Sequence, residues 1–475
     1  MFFRQVVDPG LSQYAYLIGC QRTGDALLVD PERDIDRYDR LARDEGFRIT
    51  TVAETHIHAD FLSGAREYAE RDDVRIVLSK AGPPEWQYGW TGTGRAAYLL
   101  VGGGDRFRVG GIEIEVRHAP GHTPEHIVFV VIDRGSGADD PIGVATGDFL
   151  FVGDVGRPDV LESAAGLTGT MRPAALQLRT SLQGVAAWPD FLQVWPGHGA
   201  GSVCGKSLGA VPTSTVGYER RFNGALTLAV EQPGAFVGAV LSDQPEPPPY
   251  FARMKRLNRD GAPLLGSLPA PPRLDVAAAA ADPALVVLDA RPDRAAFMAA
   301  HLPGSLHAPV RQLTAAAGAY VDADQSVALL CEPGDVDGLV RQLVRIGIDR
   351  VAGWLAVEDF QQWRLAGGHT SSIERLSFAE ATPPSKVSVW LDVRGAAEYA
   401  EGHVEGAINV AQGRVAAEYE RIPKGRPLTV HCATGGRAAL ASAYLARRGF
   451  EVRYVDDDFA GWSQRSLQPV ARVPR

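Results

Sequence analysis

Two periods of apolar and polar positions alternate along the chain, and the switch between them predicts an α/β protein. Tyr14–Cys20 and Asp25–Asp30 are short, mostly apolar runs joined by a polar turn at Gln21–Gly24, which reads as two paired strands. From Asp34 to Glu45 the apolar residues Ile35, Tyr38, Leu41 and Ala42 recur at helical spacing. A strand-like run over Phe47–Ala53 leads into Glu54-Thr-His-Ile-His-Ala-Asp-Phe61-Leu-Ser-Gly64, and a helical pattern resumes at Ala65–Arg71. The histidines and aspartate of that stretch are thus expected on a loop at the carboxyl end of a strand, where sites are usually built. Ile112–Val116 alternates and Ile127–Ile132 is apolar throughout, which predicts two further strands.

The second half repeats itself. Leu288-Asp-Ala-Arg291 returns as Leu391-Asp-Val-Arg394, His301-Leu-Pro-Gly304 as His403-Val-Glu-Gly406, Cys331 as Cys432, and Gly353-Trp354 as Gly461-Trp462. The spacing is about a hundred residues, enough for a domain with its own core. Apolar runs such as Leu285–Asp289 and Pro427–Cys432, separated by helical stretches, predict in each copy a parallel sheet covered on both faces. Proline-dense segments at 241–250 and 268–274 read as an extended connection, with a short basic helix between them over Tyr250–Asn258 that docks on the first domain. The expected division is 1–260, 261–372 and 373–475.

Composition narrows the function classes. A chain of 475 residues with 45% hydrophobic and 22% charged residues has the make-up of a folded multidomain protein. Its formal charge of -9 opposes nucleic acid or an anionic membrane as main partner, so neither is expected. Met1–Asp8 lacks a basic start followed by a long apolar core and no later segment is long and apolar enough to span a bilayer, so a cytoplasmic location is expected. The four cysteines, Cys20, Cys204, Cys331 and Cys432, form no CxxC pair and suggest neither a disulfide framework nor a zinc ribbon.

Two imidazoles and a carboxylate within five residues, His56, His58 and Asp60, cannot all share one face of a helix or strand, and a metal ion accounts for them directly. Other candidates lie in tight turns: Pro120-Gly-His122-Thr, Thr146-Gly-Asp148 and Pro196-Gly-His198-Gly. Glycine or proline beside each lets the backbone approach an ion closely. The order HxHxD, PGHT, TGD, PGHG resembles the metallo-β-lactamase superfamily, and more narrowly the persulfide dioxygenases related to glyoxalase II, over about the first half of the chain. The resemblance implies an αββα sandwich with a metal cleft at one edge. Binuclear hydrolases of the superfamily read HxHxDH; here the last position is Phe61, which cannot ligate, so one ion is expected.

By this resemblance His56, His122 and Asp148 match the ligands of a single Fe(II), one per chain, whose open positions would take substrate sulfur and dioxygen. His58, Asp60 and His198 match ligand positions of binuclear relatives; here they orient ligands, hold water or polarise substrate, or else serve a purely structural hydrogen-bonding role. Arg157 is expected to tie the metal loop to Asp159. Cys204, close after His198, is either small buried filler or an accessible sulfur, its thiolate favoured by Lys206, that carries or receives persulfide sulfur.

In the second copy, Asp392-Val-Arg394, Glu401–Asn409 and Cys432-Ala-Thr-Gly-Gly-Arg437 resemble rhodanese, the sulfurtransferase family. The residues support this on their own terms. A strand runs into Cys432, the loop Ala433, Thr434, Gly435 and Gly436 follows, and a helix is expected over Ala438–Arg448. Loop amides, the helix's positive end and Arg437 would converge on the sulfur and lower its pKa below the usual value of about 8.5. Such a thiolate accepts and passes on a sulfane sulfur. In the first copy the loop reads Cys331-Glu-Pro-Gly-Asp-Val; proline removes an amide and Glu332 and Asp335 repel a thiolate, so Cys331 is expected to be inactive and its domain a spacer or interface.

Together these expectations describe a non-haem iron persulfide dioxygenase fused, through a degenerate rhodanese-like domain, to an active rhodanese in sulfide detoxification. Its partners would be a low-molecular-weight persulfide of glutathione, coenzyme A or another thiol, dioxygen, and sulfite or thiosulfate. By resemblance alone a homodimer or homotetramer is expected. The competing readings are a glyoxalase II-like thioester hydrolase, which needs metal-activated water, and a non-catalytic sulfane-sulfur carrier or sensor, which needs Cys432 without a complete metal site.

Overall fold

The computed structural model describes residues 1–163, 169–381, 384–385, 387–461 and 470–471, grouped in two compact units: Met1–Pro247 with Phe251–Ser267, and Pro248–Tyr250 with Leu268–Arg475. The first unit holds two six-stranded sheets. One has the order β1 (Phe2–Asp8), β2 (Gln13–Gly19), β3 (Asp25–Val29), β4 (Arg48–Ala53), β5 (Arg75–Ser79), β6 (Ala97–Val101). The other contains β7 (Arg106–Val109), β8 (Ile112–His118), β9 (Ile127–Asp133), β10 (Gly143–Gly147), β11 (Gln193–Pro196) and β12 (Ser214–Thr215), and runs in reverse order from β12 to β7.

A cluster that includes Tyr16, Ile18, Leu27, Phe129, Val131 and Trp195 joins the inner faces of the two sheets. Separate clusters cover the outer faces: Tyr38, Ala42 and Tyr68 on the first sheet, and Leu178, Leu182 and Phe236 on the second. Helices outside and sheets inside make the expected αββα sandwich. Strands β2 and β9 are buried almost throughout, which is why they read as unbroken apolar runs. The sequence reading missed β1, whose residues other than Asp8 are partly buried or exposed where it pairs, as the edge strand, with β2. The expected helix Ala65–Arg71 closes at Tyr68, because the Ala69 carbonyl accepts from the Arg95 and Ala96 amides instead of continuing the helix. Among the described residues no helix is long and apolar enough to cross a membrane.

The second unit contains two parallel sheets. The first has the order β14 (Leu306–His307), β13 (Leu285–Asp289), β15 (Ser326–Cys331), β16 (Val351–Ala356). The second is built from β17 (Glu374–Leu376), β18 (Val389–Asp392), β20 (Ile408–Asn409), β21 (Leu428–His431) and β22 (Val452–Val455), in the order β17-β22-β21-β18-β20. The short β19 (His403–Val404) pairs elsewhere, with Val470–Ala471.

Most of the sequence repeat is a structural repeat, with one correction. Trp354 lies in β16 opposite Leu329, and the corresponding place in the second sheet is Tyr454 in β22, opposite Val430. Gly461 lies in a helical turn instead, so its match with Gly353 is a coincidence of residue type; Trp462 lies outside the described residues.

Candidate functional site

The loop that follows β4 is held from three directions. Asp30, at the end of β3, accepts from the Thr55 amide at 2.7 Å and the Thr55 hydroxyl at 2.8 Å. Glu125 accepts from the Ile57 amide at 2.8 Å. Asn258, on the helix Phe251–Asp260, donates to the His58 carbonyl at 2.8 Å and the Phe61 carbonyl at 2.7 Å, and accepts from the Ser63 amide at 2.9 Å. A loop with this many side-chain bonds to its own backbone has its histidines aimed by the fold.

His56, His122 and Asp148 converge, and all three are buried with ligand atoms within 4.8 Å of one another. Thr55 donates its hydroxyl hydrogen to Asp30 and so accepts from His56 Nδ1 at 3.0 Å. His122 Nδ1 faces the Arg157 carbonyl at 3.0 Å, an oxygen that only accepts. Each imidazole thus carries its hydrogen on Nδ1 and offers the Nε2 lone pair, 4.0 Å (His56) and 3.5 Å (His122) from Asp148 Oδ2.

Burial holds both rings in the neutral, ligating form: His56 is pushed well below the usual histidine range, further helped by its imidazole neighbours, and His122 falls to about 3. Burial also raises Asp148 to about 6, with the Cys204 thiol among the weaker, lowering contacts, and neither carboxylate oxygen has a well-formed hydrogen bond among the described residues. Two free imidazole lone pairs facing a buried carboxylate fit a divalent cation. Gly197 gives Asp148 its room, since a Cβ there would lie 2.7 Å from Oδ1.

The other predicted residues separate into two groups. His58 turns to the carboxylates of Asp30 (3.2 Å) and Glu54 (3.0 Å); burial opposes its charge, but these neighbours raise it well above the usual range. The ring of Phe61 lies 4.4 Å from that of His58, fully buried. His198, Asp60 and Cys204 gather beside Asp148, with His198 Nε2 3.3 Å from Asp60 Oδ2 and 3.4 Å from Asp148 Oδ1, and this trio also has the spacing of a metal site. Arg157 grips Asp159 through Nε at 2.9 Å and Nη2 at 2.6 Å while its own carbonyl orients His122.

Cys204 requires a correction. It is 3% exposed, and burial followed by the charges of Asp148 and Asp60 pushes its thiol well up. Lys206 points its ammonium to the carbonyls of Ala239 and Ser242 rather than to the sulfur. Of the two readings open for Cys204, the accessible thiolate does not fit, and the thiol is buried. Sequence reasoning also missed several partners. His126 accepts from the Asp148 amide at 3.1 Å and stacks on His56 with ring centroids 4.9 Å apart. It stands with Glu125 in the same turn as His122, which was a readable signal; nothing local pointed to Asp30 or to Asn258.

Cys432 follows directly on β21 and is 2% exposed. The loop turns at Gly435, φ 85°, and the helix Gly436–Arg447 begins at once, slightly earlier than the apolar pattern suggested. Tyr454 donates to the Gly435 carbonyl at 3.2 Å. Arg437 forms two bonds with Glu398, 2.6 and 2.7 Å, so its charge is shared with that carboxylate. In the first repeat, burial and then Asp335 and Glu332 raise the Cys331 thiol to about 12.

Comparison with known proteins finds a family likeness for the part of the chain that carries each of these sites. The metallo-beta-lactamase superfamily pattern matches residues 8–201 and the rhodanese-like domain pattern matches residues 379–465. The mitochondrial persulfide dioxygenase ETHE1 of Mus musculus is 27% identical over 234 residues, 49% of this chain and 78% of that protein. A hydroxyacylglutathione hydrolase of Rhodopseudomonas palustris is 30% identical over 185 residues, 39% of this chain and 62% of that protein. The crystal structure of a metallo-beta-lactamase from Staphylococcus aureus superposes with a TM-score of 0.66 at 39% identity, covering 75% of this chain and 99% of that one. With its double sheet, histidine-bearing loops and carboxyl-terminal cysteine loop, the chain belongs to the metallo-beta-lactamase superfamily, as a fusion of a domain homologous to persulfide dioxygenases with a rhodanese-like domain.

Proposed function

We propose that the chain is a non-haem iron persulfide dioxygenase coupled to a sulfurtransferase, organised as residues 1–260, a degenerate rhodanese-like domain at 261–372 and an active one at 373–475. The observation that carries this reading is the three-ligand face of His56, His122 and Asp148, beside a loop in which Phe61 stands where binuclear relatives place a further histidine. Likeness to ETHE1 supports it. Bound there, one Fe(II) would supply reactivity of dioxygen toward sulfur. The chain's residues would do the rest. Asp30, Thr55 and the Arg157 carbonyl keep the two ligating rings in the required tautomer. His198, between Asp60 and Asp148, is placed to hold or pass a proton beside the ligand face.

One persulfide, one dioxygen and one water give the thiol, sulfite and two protons. At Cys432, a bound sulfane sulfur and sulfite give thiosulfate and the free thiolate, or the reverse. This reading accounts for both halves of the chain as parts of sulfide detoxification.

A second reading has an observation of its own: the Asp60, His198 and Cys204 group could hold a second ion, as a zinc-dependent thioester hydrolase would need. The raised Cys204 thiol disfavours it as a ligand. Metal analysis of anaerobically purified protein, paired with oxygen uptake on glutathione persulfide, decides. One iron per chain with uptake is expected; two zinc ions without uptake would replace the proposal with the hydrolase.

A further inference from the structure

Within the carboxyl-terminal unit a cavity of about 500 Å³ opens between the two repeats. The first repeat contributes Pro292, Arg294, Arg311 and Gln312 to its wall, and the second contributes Gly436 and Ala439 from the helix that begins just past Cys432. The approach is close. A Cβ on Gly435 would lie 3.2 Å from Arg294 Cζ, and one on Gly436 would lie 3.5 Å from Gln312 Nε2 and 3.9 Å from Arg294 Nη1. The repeat with the impaired cysteine loop therefore places a guanidinium and a side-chain amide against the two glycines of the intact one.

Two cations meet one carboxylate at this spot. Arg294 contacts Asp456 at 2.7 Å, and Asp456 also lies 3.5 Å from Arg375, so two guanidinium groups share one carboxylate. Arg294 keeps 39% of its side chain exposed, with donors left over. Arg437, the cation of the loop itself, is occupied by Glu398, and Arg394 is occupied by Asp392 at 2.6 Å.

We infer that Arg294 of the degenerate repeat is a specificity-determining residue of the Cys432 site, binding the oxyanion end of thiosulfate or sulfite, with Gln312 donating beside it. The inference rests on reading Cys432 as the sulfur-carrying cysteine. In the transfer, the Cys432 thiolate bonds the outer sulfur of thiosulfate, the sulfur–sulfur bond of thiosulfate breaks, and sulfite leaves with the electron pair. The ligand is a dianion before and after, so one cation serves both directions. An arginine offers paired donors matched to such an oxyanion.

Two measurements on the full chain test this. In the first, thiosulfate-to-cyanide sulfur transfer is followed in Arg294→Ala, Arg294→Lys and Asp456→Asn. Expected are a KM for thiosulfate raised about tenfold in Arg294→Ala with kcat changed much less, partial recovery in Arg294→Lys, and no such rise in Asp456→Asn, which keeps the guanidinium but removes its ion pair. In the second, sulfate is added during iodoacetamide treatment and alkylation of Cys432 is read by peptide mass spectrometry. Sulfate is expected to slow alkylation in the parent protein and to do so much less in Arg294→Ala. An unchanged KM, a loss confined to kcat, or an equal rise in Asp456→Asn would overturn the inference, as would a lack of sulfate protection in the parent. If the parent transfers no sulfur while sulfate still protects through Arg294, the anion site stands and the sulfurtransferase reading falls.

Discussion

In both carboxyl-terminal repeats an aspartate at a strand end grips an arginine two residues on: Asp289 with Arg291, and Asp392 with Arg394, each pair closing at 2.6 Å. In both, that arginine also donates to a carbonyl, of Ala300 or of Gly402, and a histidine Nδ1 lies 2.9 Å from the carbonyl four residues back. His301 stacks on Phe297 as His403 stacks on Tyr399. These parts of the two frames are alike, and the residues that follow each cysteine are not. Gly435 turns with φ 85°, whereas Pro333–Asp335 forms a tight turn after Cys331 without a positive φ. Val336 stands five residues past Cys331 where Arg437 stands five past Cys432. The difference teaches that the scaffold tolerates loss of the loop's chemistry, because the interactions that hold it lie elsewhere.

The largest effect expected from this contrast is at the cysteines. Cys432→Ser should lower thiosulfate sulfur transfer by about a thousandfold or more, and Cys331→Ser should leave it unchanged. Activity that persisted in Cys432→Ser and vanished on adding Cys331→Ser would invert the assignment. Next comes the turn. Gly435→Ala forces a side chain into a left-handed conformation and puts a Cβ 2.7 Å from both Asp456 Oδ1 and the Tyr454 hydroxyl. Transfer should fall about tenfold or more and thermal stability should drop by about 1–2 kcal/mol, whereas Gly334→Ala, where nothing lies within 4 Å of the new Cβ, should cost little.

The smallest effect is electrostatic. Raised to about 12 by burial, Asp335 and Glu332, the Cys331 thiol should alkylate slowly until strongly alkaline pH. An unfolded cysteine ionises near pH 8.5, so whatever stability the protonated thiol contributes is complete below that pH and lost as pH climbs toward the folded value. Replacing Glu332 by Gln and Asp335 by Asn should speed alkylation of Cys331 at pH 9 by roughly threefold, burial being the larger cause. No change in the mass-spectrometric rate would show that the acids are bystanders.

The double sheet was legible because β2, β3, β4, β8 and β9 each bury a face or both, and that burial writes itself into local periodicity. The meeting of His56, His122 and Asp148 was expected through the family resemblance that the order of four turns carries. What escaped was partnership across the fold. Nothing around Cys204 reveals that its sulfur lies under 3% exposure beside two carboxylates, or that Lys206 is engaged by Ala239 and Ser242. The diversion of His58 to Asp30 depends on where β3 ends relative to β4, a register no residue pattern records. Arg294 was passed over because its ion pair lies in the other repeat.

Asn258 has a consequence for how this protein can be divided. The recognisable superfamily pattern stops at residue 201, yet the amide that satisfies the His58 and Phe61 carbonyls arrives on a helix ending at Asp260. A fragment cut where the sequence likeness ends would keep His56, His122 and Asp148 and lose the brace under the loop that carries His56. In gene fusion or domain exchange, the catalytic cassette is therefore longer than its signature, and the segment most easily taken for a linker has to travel with it.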